Sequence, residues 1–122
     1  MQLYESGEMY LETILMLSKR GGNVRSIDIV KEMNFSKPSV SNAMKNLREG
    51  EFVNVDGEGY ITLTDSGREI AEKIYERHMV LTDCLIRLGV DKEVATEDAC
   101  KIEHDISDET FDAIKRHLLS KQ

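Results

Sequence analysis

Ser36-Lys37-Pro38-Ser39-Val40-Ser41-Asn42-Ala43-Met44-Lys45-Asn46-Leu47 reads as a helix with two unlike faces. Its proline falls in the first turn, where a fixed φ suits the helix and the missing N–H leaves no bond unmade. Val40, Ala43, Met44 and Leu47 recur at i, i+3, i+4 and i+7 and form an apolar face. Pro38, Asn42, Lys45 and Asn46 form the opposite face, with Ser39 and Ser41 on its edges. A surface this small, polar and mildly basic fits a DNA major groove and offers Asn and Ser to base edges or phosphates.

Working outward, Ser26 has the character of an N-cap for a shorter helix burying Ile29, Val30 and Met33. Asn34-Phe35-Ser36 supplies the turn between the two helices. Beyond Glu49-Gly50, Phe52–Val55 and Tyr60–Leu63 alternate as strands around Asp56-Gly57-Glu58-Gly59, a hairpin signal. A first helix from Glu5 to Arg20 stops at Gly21-Gly22. Tyr10, Leu11, Ile14, Leu15 and Leu17 give it an apolar stripe; Met9, Glu12 and Met16 lie opposite. Helix, short helix, turn, helix and hairpin in this order spell a winged helix-turn-helix over residues 1–64. A small α+β packing module without DNA is the alternative use of the same pieces.

Residues 65–122 read as all helical. Ser66-x-x-Glu69 has the form of a capping box for a long helix reaching Leu88 and closed by Gly89. Its stripe contains Ile70, Ala71, Ile74, Tyr75, Leu81, Leu85 and Leu88, and His78 falls within it. Asp91 opens a fifth helix; Ser107-Asp108-Glu109 opens a sixth with Phe111, Ile114 and Leu118 inward. Three helices are too few to close over these stripes, so a second copy of the chain is expected to complete the core in a twofold homodimer.

The fifth helix carries the chemistry. In Asp98-Ala99-Cys100-Lys101-Ile102-Glu103-His104, residues three and four apart share a face, so Cys100, Glu103 and His104 project together. A thiolate, a carboxylate and an imidazole suit a transition metal. They are expected to flank the apolar stripe of Ala95, Ala99, Ile102 and Ile106. Further ligands are on offer from Met9 with Glu12, and from His78. A solvated helix edge is the competing reading of the same run.

Composition bounds the rest. The 122 residues carry a formal net charge of −7, with −2 over residues 1–63 and −5 over 64–122. Net charge constrains non-specific attraction to nucleic acid but not the field at a docking face. Two cysteines, Cys84 and Cys100, are too few for a disulfide framework and suit a reduced compartment. The N-terminal Met1-Gln2-Leu3-Tyr4-Glu5 has neither a basic region nor an apolar stretch, so no leader is expected; no apolar run is long enough for a membrane span. A cytoplasmic protein is the expectation. No nucleophile–base pair has a third orienting group and no glycine-rich phosphate loop is present, which argues against an enzyme. The sequence assigns no role to Cys84 or His117.

Taken together, these motifs resemble the iron- and manganese-dependent transcriptional repressors typified by the diphtheria toxin repressor. The resemblance extends from Glu8 to Leu119. It rests on Glu8-Met9-Tyr10-Leu11-Glu12, Ser36-Lys37-Pro38-Ser39-Val40-Ser41, Leu63-Thr64-x-x-Gly67, His78, and Asp98-Ala99-Cys100-x-x-Glu103-His104-x-x-Ser107-Asp108-Glu109. It implies a winged helix-turn-helix domain, 1–64, followed by a helical metal-binding and dimerisation domain, 65–122. The iron-type members use a Met, a Cys, a Glu and a His, which match Met9, Cys100, Glu103 and His104. Manganese-type members carry carboxylates at the positions of Met9 and Cys100. Sulfur donors bias the site toward Fe²⁺, with Mn²⁺ or another divalent metal as the substitute.

Two departures from the family pattern matter. Of the ancillary site only His78 matches, because Thr82 and Thr96 replace the other ligands and Asp83 is displaced; Glu12 and His78 could instead share a carboxylate to hold a second ion. The chain ends at Gln122, so the resemblance is to a short form without an SH3-like domain. The implied function is metal-dependent repression in metal homeostasis. An ion joining Met9 to Cys100, Glu103 and His104 would set the spacing of two reading helices on a palindromic double-stranded operator. Ser36, Lys37, Pro38, Ser39, Ser41, Asn42 and Lys45 are the expected DNA contacts: Ser39 and Asn42 for bases or nearby phosphates, Lys37, Ser41 and Lys45 for phosphates, and Pro38 for a thymine methyl. A winged-helix regulator sensing redox state or zinc through Cys100 is the alternative.

Overall fold

The computed structural model describes residues 5–120; the Met1–Tyr4 stretch, expected to lack a leader, lies outside them. Among the described residues there are six helices and one two-stranded antiparallel sheet: α1 (Glu5–Lys19), α2 (Ser26–Met33), α3 (Lys37–Glu49), β1 (Val53–Val55), β2 (Ile61–Leu63), α4 (Asp65–Arg87), α5 (Lys92–Ile102) and α6 (Asp108–Ser120). This is a mainly α chain with an N-terminal winged helix-turn-helix and an all-α C-terminal part, as the sequence order requires. No described helix is long and apolar enough to cross a membrane.

The chain forms two compact units, residues 1–72 and 73–122. The division falls inside α4. The cause is local. Thr64 N–H donates to the Phe52 carbonyl at 3.1 Å, and Thr64 Oγ1 donates to the Glu51 carbonyl at 2.7 Å. At Gly67 an added Cβ would collide with the Phe52 carbonyl oxygen, so the opening turns of α4 sit tightly on the wing. The Ser66 capping box is replaced for the same reason: Thr64 caps the helix, its Oγ1 accepting from Gly67 N–H at 3.1 Å.

In the N-terminal unit α1 packs on α2, α3 and β2. Leu11, Ile14, Ile29 and Val40 are fully buried at its centre. The strands pair Val53 with Leu63 and Val55 with Ile61, and Val24 adds a single bridge to Ile61. Asp56 Oδ1 closes the hairpin turn by accepting from Glu58 and Tyr60 N–H, each at 2.9 Å, and Gly59 takes the left-handed φ of 85°. The entry to α2 corrects the Ser26 cap. Arg25 holds that position, the Asp28 carboxylate accepting its N–H at 2.9 Å, and its guanidinium lies 4.5 Å above the Tyr60 ring.

In the C-terminal unit Ile74, Leu81, Ala95, Ala99, Phe111 and Leu118 are buried. Asp91 and Ser107 cap α5 and α6 through side-chain oxygens that accept from Glu93 N–H at 3.2 Å and Thr110 N–H at 3.1 Å. The buried register of α5 differs from the expected stripe. Ala95, Ala99 and Glu103 form it at i, i+4 and i+8, while Ile102 is 37% exposed. A carboxylate therefore stands where the pattern placed isoleucine.

Candidate metal centre

The helix carrying the candidate ligands ends two residues short of His104, which the sequence placed within it. Ile102 is the last residue of α5, Glu103 is its C-cap with φ −58° and ψ −25°, and His104 starts the following turn. Because Glu103 keeps right-handed helical angles, the shared face of Cys100, Glu103 and His104 persists past the formal end of the helix. Cys100, in the last turn of α5 and in no disulfide among the described residues, is half-buried.

Glu103 is the focus of this unit, and its side chain is fully buried. Its Oε2 lies 2.9 Å from His78 Nδ1 on α4, and its Oε1 lies 3.4 Å from Nε2 of His104, whose side chain is also fully buried. Oε1 makes no hydrogen bond among the described residues. A carboxyl oxygen withdrawn from water without a hydrogen bond is costly. An imidazole on each side of that carboxyl, with a half-buried thiol one turn earlier, is a donor set that suits a divalent transition metal. The sequence placed His78 in the α4 stripe, and the structure brings it to Glu103.

The remaining expected ligands belong to the N-terminal unit. Met9 and Glu12 lie on α1, Met9 half-buried and Glu12 buried at 7% exposure. Glu12, placed by the sequence opposite the main apolar stripe of α1, is buried, so that Tyr10, Leu11 and Glu12 are consecutive buried residues. Asp83, the displaced ancillary candidate, is paired with Arg87 Nε at 3.1 Å one turn along α4. Arg77 is the buried charged residue of α4 that sequence reasoning missed. It is 5% exposed, and with Ala71, Ile74 and Leu81 it completes the buried register of α4. Its spacing from Ile74 and Leu81 was the available signal, masked by its charge.

On α3 the expected DNA-facing residues Lys37, Pro38, Ser39, Ser41, Asn42 and Lys45 are all exposed, while Val40, Met44 and Leu47 are buried. Ser36 is exposed too, but its hydroxyl is engaged as the N-cap. Ser36 Oγ accepts from Ser39 N–H at 3.2 Å and donates to Ser39 Oγ at 2.8 Å.

The comparisons with known proteins agree with both halves of this arrangement. Residues 2–60 match the family described as iron dependent repressor, N-terminal DNA binding domain. Residues 64–120 match iron dependent repressor, metal binding and dimerisation domain. An uncharacterized HTH-type transcriptional regulator of Methanocaldococcus jannaschii is 35% identical over 113 residues, which span 91% of this chain and 90% of that protein. The transcriptional regulator MntR of Escherichia coli O6:H1 is 32% identical over 106 residues, 87% of this chain and 68% of that one. Among solved structures, the manganese regulator SloR superposes with a TM-score of 0.82 at 28% identity, covering 97% of this chain and 54% of SloR. IdeR of T. acidophilum gives 0.80 at 26% identity, covering 91% of this chain and 53% of IdeR. The chain thus spans about half the length of these solved relatives. With a winged helix-turn-helix matched by one family domain and the Glu103 centre lying in the other, the chain belongs to the iron-dependent repressor family.

Proposed function

We propose that this chain is a divalent-metal-activated transcriptional repressor, in which residues 65–122 sense metal and dimerise and residues 1–64 read DNA. The observation that carries the reading is Glu103, a fully buried carboxyl with one oxygen lacking a hydrogen bond and an imidazole beside each oxygen. In this reading one ion is held by Met9, Cys100, Glu103 and His104, and Glu12 and His78 are the further donors for a second ion. The two sulfurs make Fe²⁺ the preferred ion. Mn²⁺ is the competitor, because relatives include proteins named as manganese regulators and because Glu12, Glu103 and His78 are harder donors.

The C-terminal unit also exposes Met79, Ile86, Leu88 and Leu119, at 54%, 40%, 75% and 58%. Apolar exposure on that scale, in a region matching a dimerisation domain, supports a twofold homodimer. The dimer would offer two α3 helices to a palindromic operator, on which successive half-sites lie about 34–36 Å apart. Metal then selects the spacing at which both helices dock. Shifting a 1:99 population to 99:1 takes about 5.5 kcal/mol of differential binding.

DNA binding measured anaerobically against added Fe²⁺ and Mn²⁺, with wild type and Cys100→Ala in parallel, tests this. Metal-dependent binding by wild type, displaced to higher metal concentration in the variant, is expected. Identical, metal-indifferent binding by both would overturn it.

A further inference from the structure

Metal ligation gives no reason for burying Arg77, yet its guanidinium is the most heavily engaged charged group of the C-terminal unit. Nη1 donates to the carbonyl oxygens of Glu103 at 3.1 Å and Ile106 at 2.7 Å. Nη2 pairs with the Asp108 carboxylate, which is also held by Lys73 Nζ at 2.9 Å. The guanidinium carbon lies 5.4 Å from the centre of the Phe111 ring. Nε is buried without a hydrogen bond.

The carbonyls explain the placement. A helix leaves its last four carbonyls without intrahelical donors, and a left-handed glycine just past the end is the common remedy. No glycine follows Gly89 in this chain, and Glu103 keeps right-handed angles. A left-handed residue here would swing His104 off the face it shares with Cys100 and Glu103. A donor from another element is therefore needed, and α4 supplies it. Arg77 and His78 are consecutive, and both fasten Glu103: Arg77 by its backbone carbonyl, His78 by its carboxyl oxygen.

We propose that Arg77 is a positioning residue for the metal centre, a cap that holds the Glu103–His104 turn in the backbone conformation the ion requires. The inference rests on the metal-binding reading above. It also accounts for a buried charge that an apolar side chain could replace at no loss if packing were its only task. Asp108 and Lys73 keep the guanidinium aimed at the two carbonyls.

The test uses the full chain and Mn²⁺ alone, with the free-ion electron paramagnetic resonance signal reporting uptake and urea unfolding of the metal-free protein reporting stability. Arg77→Met, Arg77→Lys and Asp108→Asn are compared with Leu118→Ala, a core change away from the turn. Arg77→Met is expected to weaken Mn²⁺ binding by about 10–100-fold. Arg77→Lys should recover part of that, since an ammonium reaches one carbonyl but lacks the fork. Asp108→Asn should lose less, and Leu118→Ala should unfold earlier yet bind Mn²⁺ like wild type. Mn²⁺ affinity in Arg77→Met equal to that of Leu118→Ala would overturn the inference. If Arg77→Met does not fold, Arg77→Lys and Asp108→Asn decide it by the same comparison. Wild type that takes up neither Mn²⁺ nor, by chelator competition, Fe²⁺ would instead overturn the metal-binding reading itself, and the role of Arg77 with it.

Discussion

His78 Nδ1 lies 2.9 Å from Glu103 Oε2, a pairing of α4 with the end of α5 across 25 residues of sequence. It satisfies one oxygen of a fully buried carboxyl and leaves the other, Oε1, without a hydrogen bond. A group in that condition weakens the fold that contains it and gains most from an ion.

The consequence is measurable in the metal-free protein. Glu103→Met, of similar length, removes the carboxyl oxygen that lacks a hydrogen bond and should raise metal-free stability by about 1–3 kcal/mol, the cost of an unsatisfied buried polar group. The same variant should lose the rise in unfolding temperature that Mn²⁺ or Fe²⁺ gives wild type. Thermal scans with and without metal check both; a less stable variant that still responds to metal would contradict the account.

Gly67 is fixed by its neighbour rather than by its own backbone. A Cβ there would run into the Phe52 carbonyl oxygen, and backbone cannot move aside as a flexible side chain can. Gly67→Ala should destabilise the wing and the start of α4 by about 1–3 kcal/mol, as overpacking does. Urea unfolding indistinguishable from wild type would refute this contact.

The α3 face separates two kinds of DNA contact. Asn42→Ala should remove discrimination worth about 1–3 kcal/mol at one base pair and leave non-specific binding nearly intact. Lys45→Ala should weaken all sequences and reduce the salt dependence by about one unit of slope. Binding of operator and scrambled duplexes across a salt series distinguishes them. Equal losses on every sequence for both variants would reject the assignment.

Asp108 sets an acid limit. The hydrogen bond and charge of Lys73, and then the charge of Arg77, hold its carboxyl below the ordinary carboxylate range. Its folded-state pKa is depressed, so the folded protein binds fewer protons there than the unfolded one. The stabilisation is complete above the unfolded value of about 4 and is lost as pH falls through the lowered folded one. Urea midpoints of wild type and Asp108→Asn should therefore differ above about pH 5 and converge in acid. A gap that widens as pH falls would reverse the sign and reject the assignment.

Much of this was legible in the sequence, because local patterns carry it. The i, i+3, i+4, i+7 spacing of α3, the Asp56–Gly59 turn and the Asp91 and Ser107 caps involve residues within one turn of each other. Their energetics are set by neighbours the sequence already names.

What the sequence by itself determined was therefore the order and type of elements and the exposed polar face of α3. Only the tertiary structure decided which side of each helix is buried. Periodicity put Ile102 in the core and Glu103 at its edge, but in the folded chain Glu103 is fully buried and Ile102 is partly exposed. Nor did any local pattern single out Arg77, whose buried guanidinium donates to carbonyls 26 and 29 residues away. Burial of a charged group depends on which partners the fold brings to it, and no local pattern encodes partners that far along the chain.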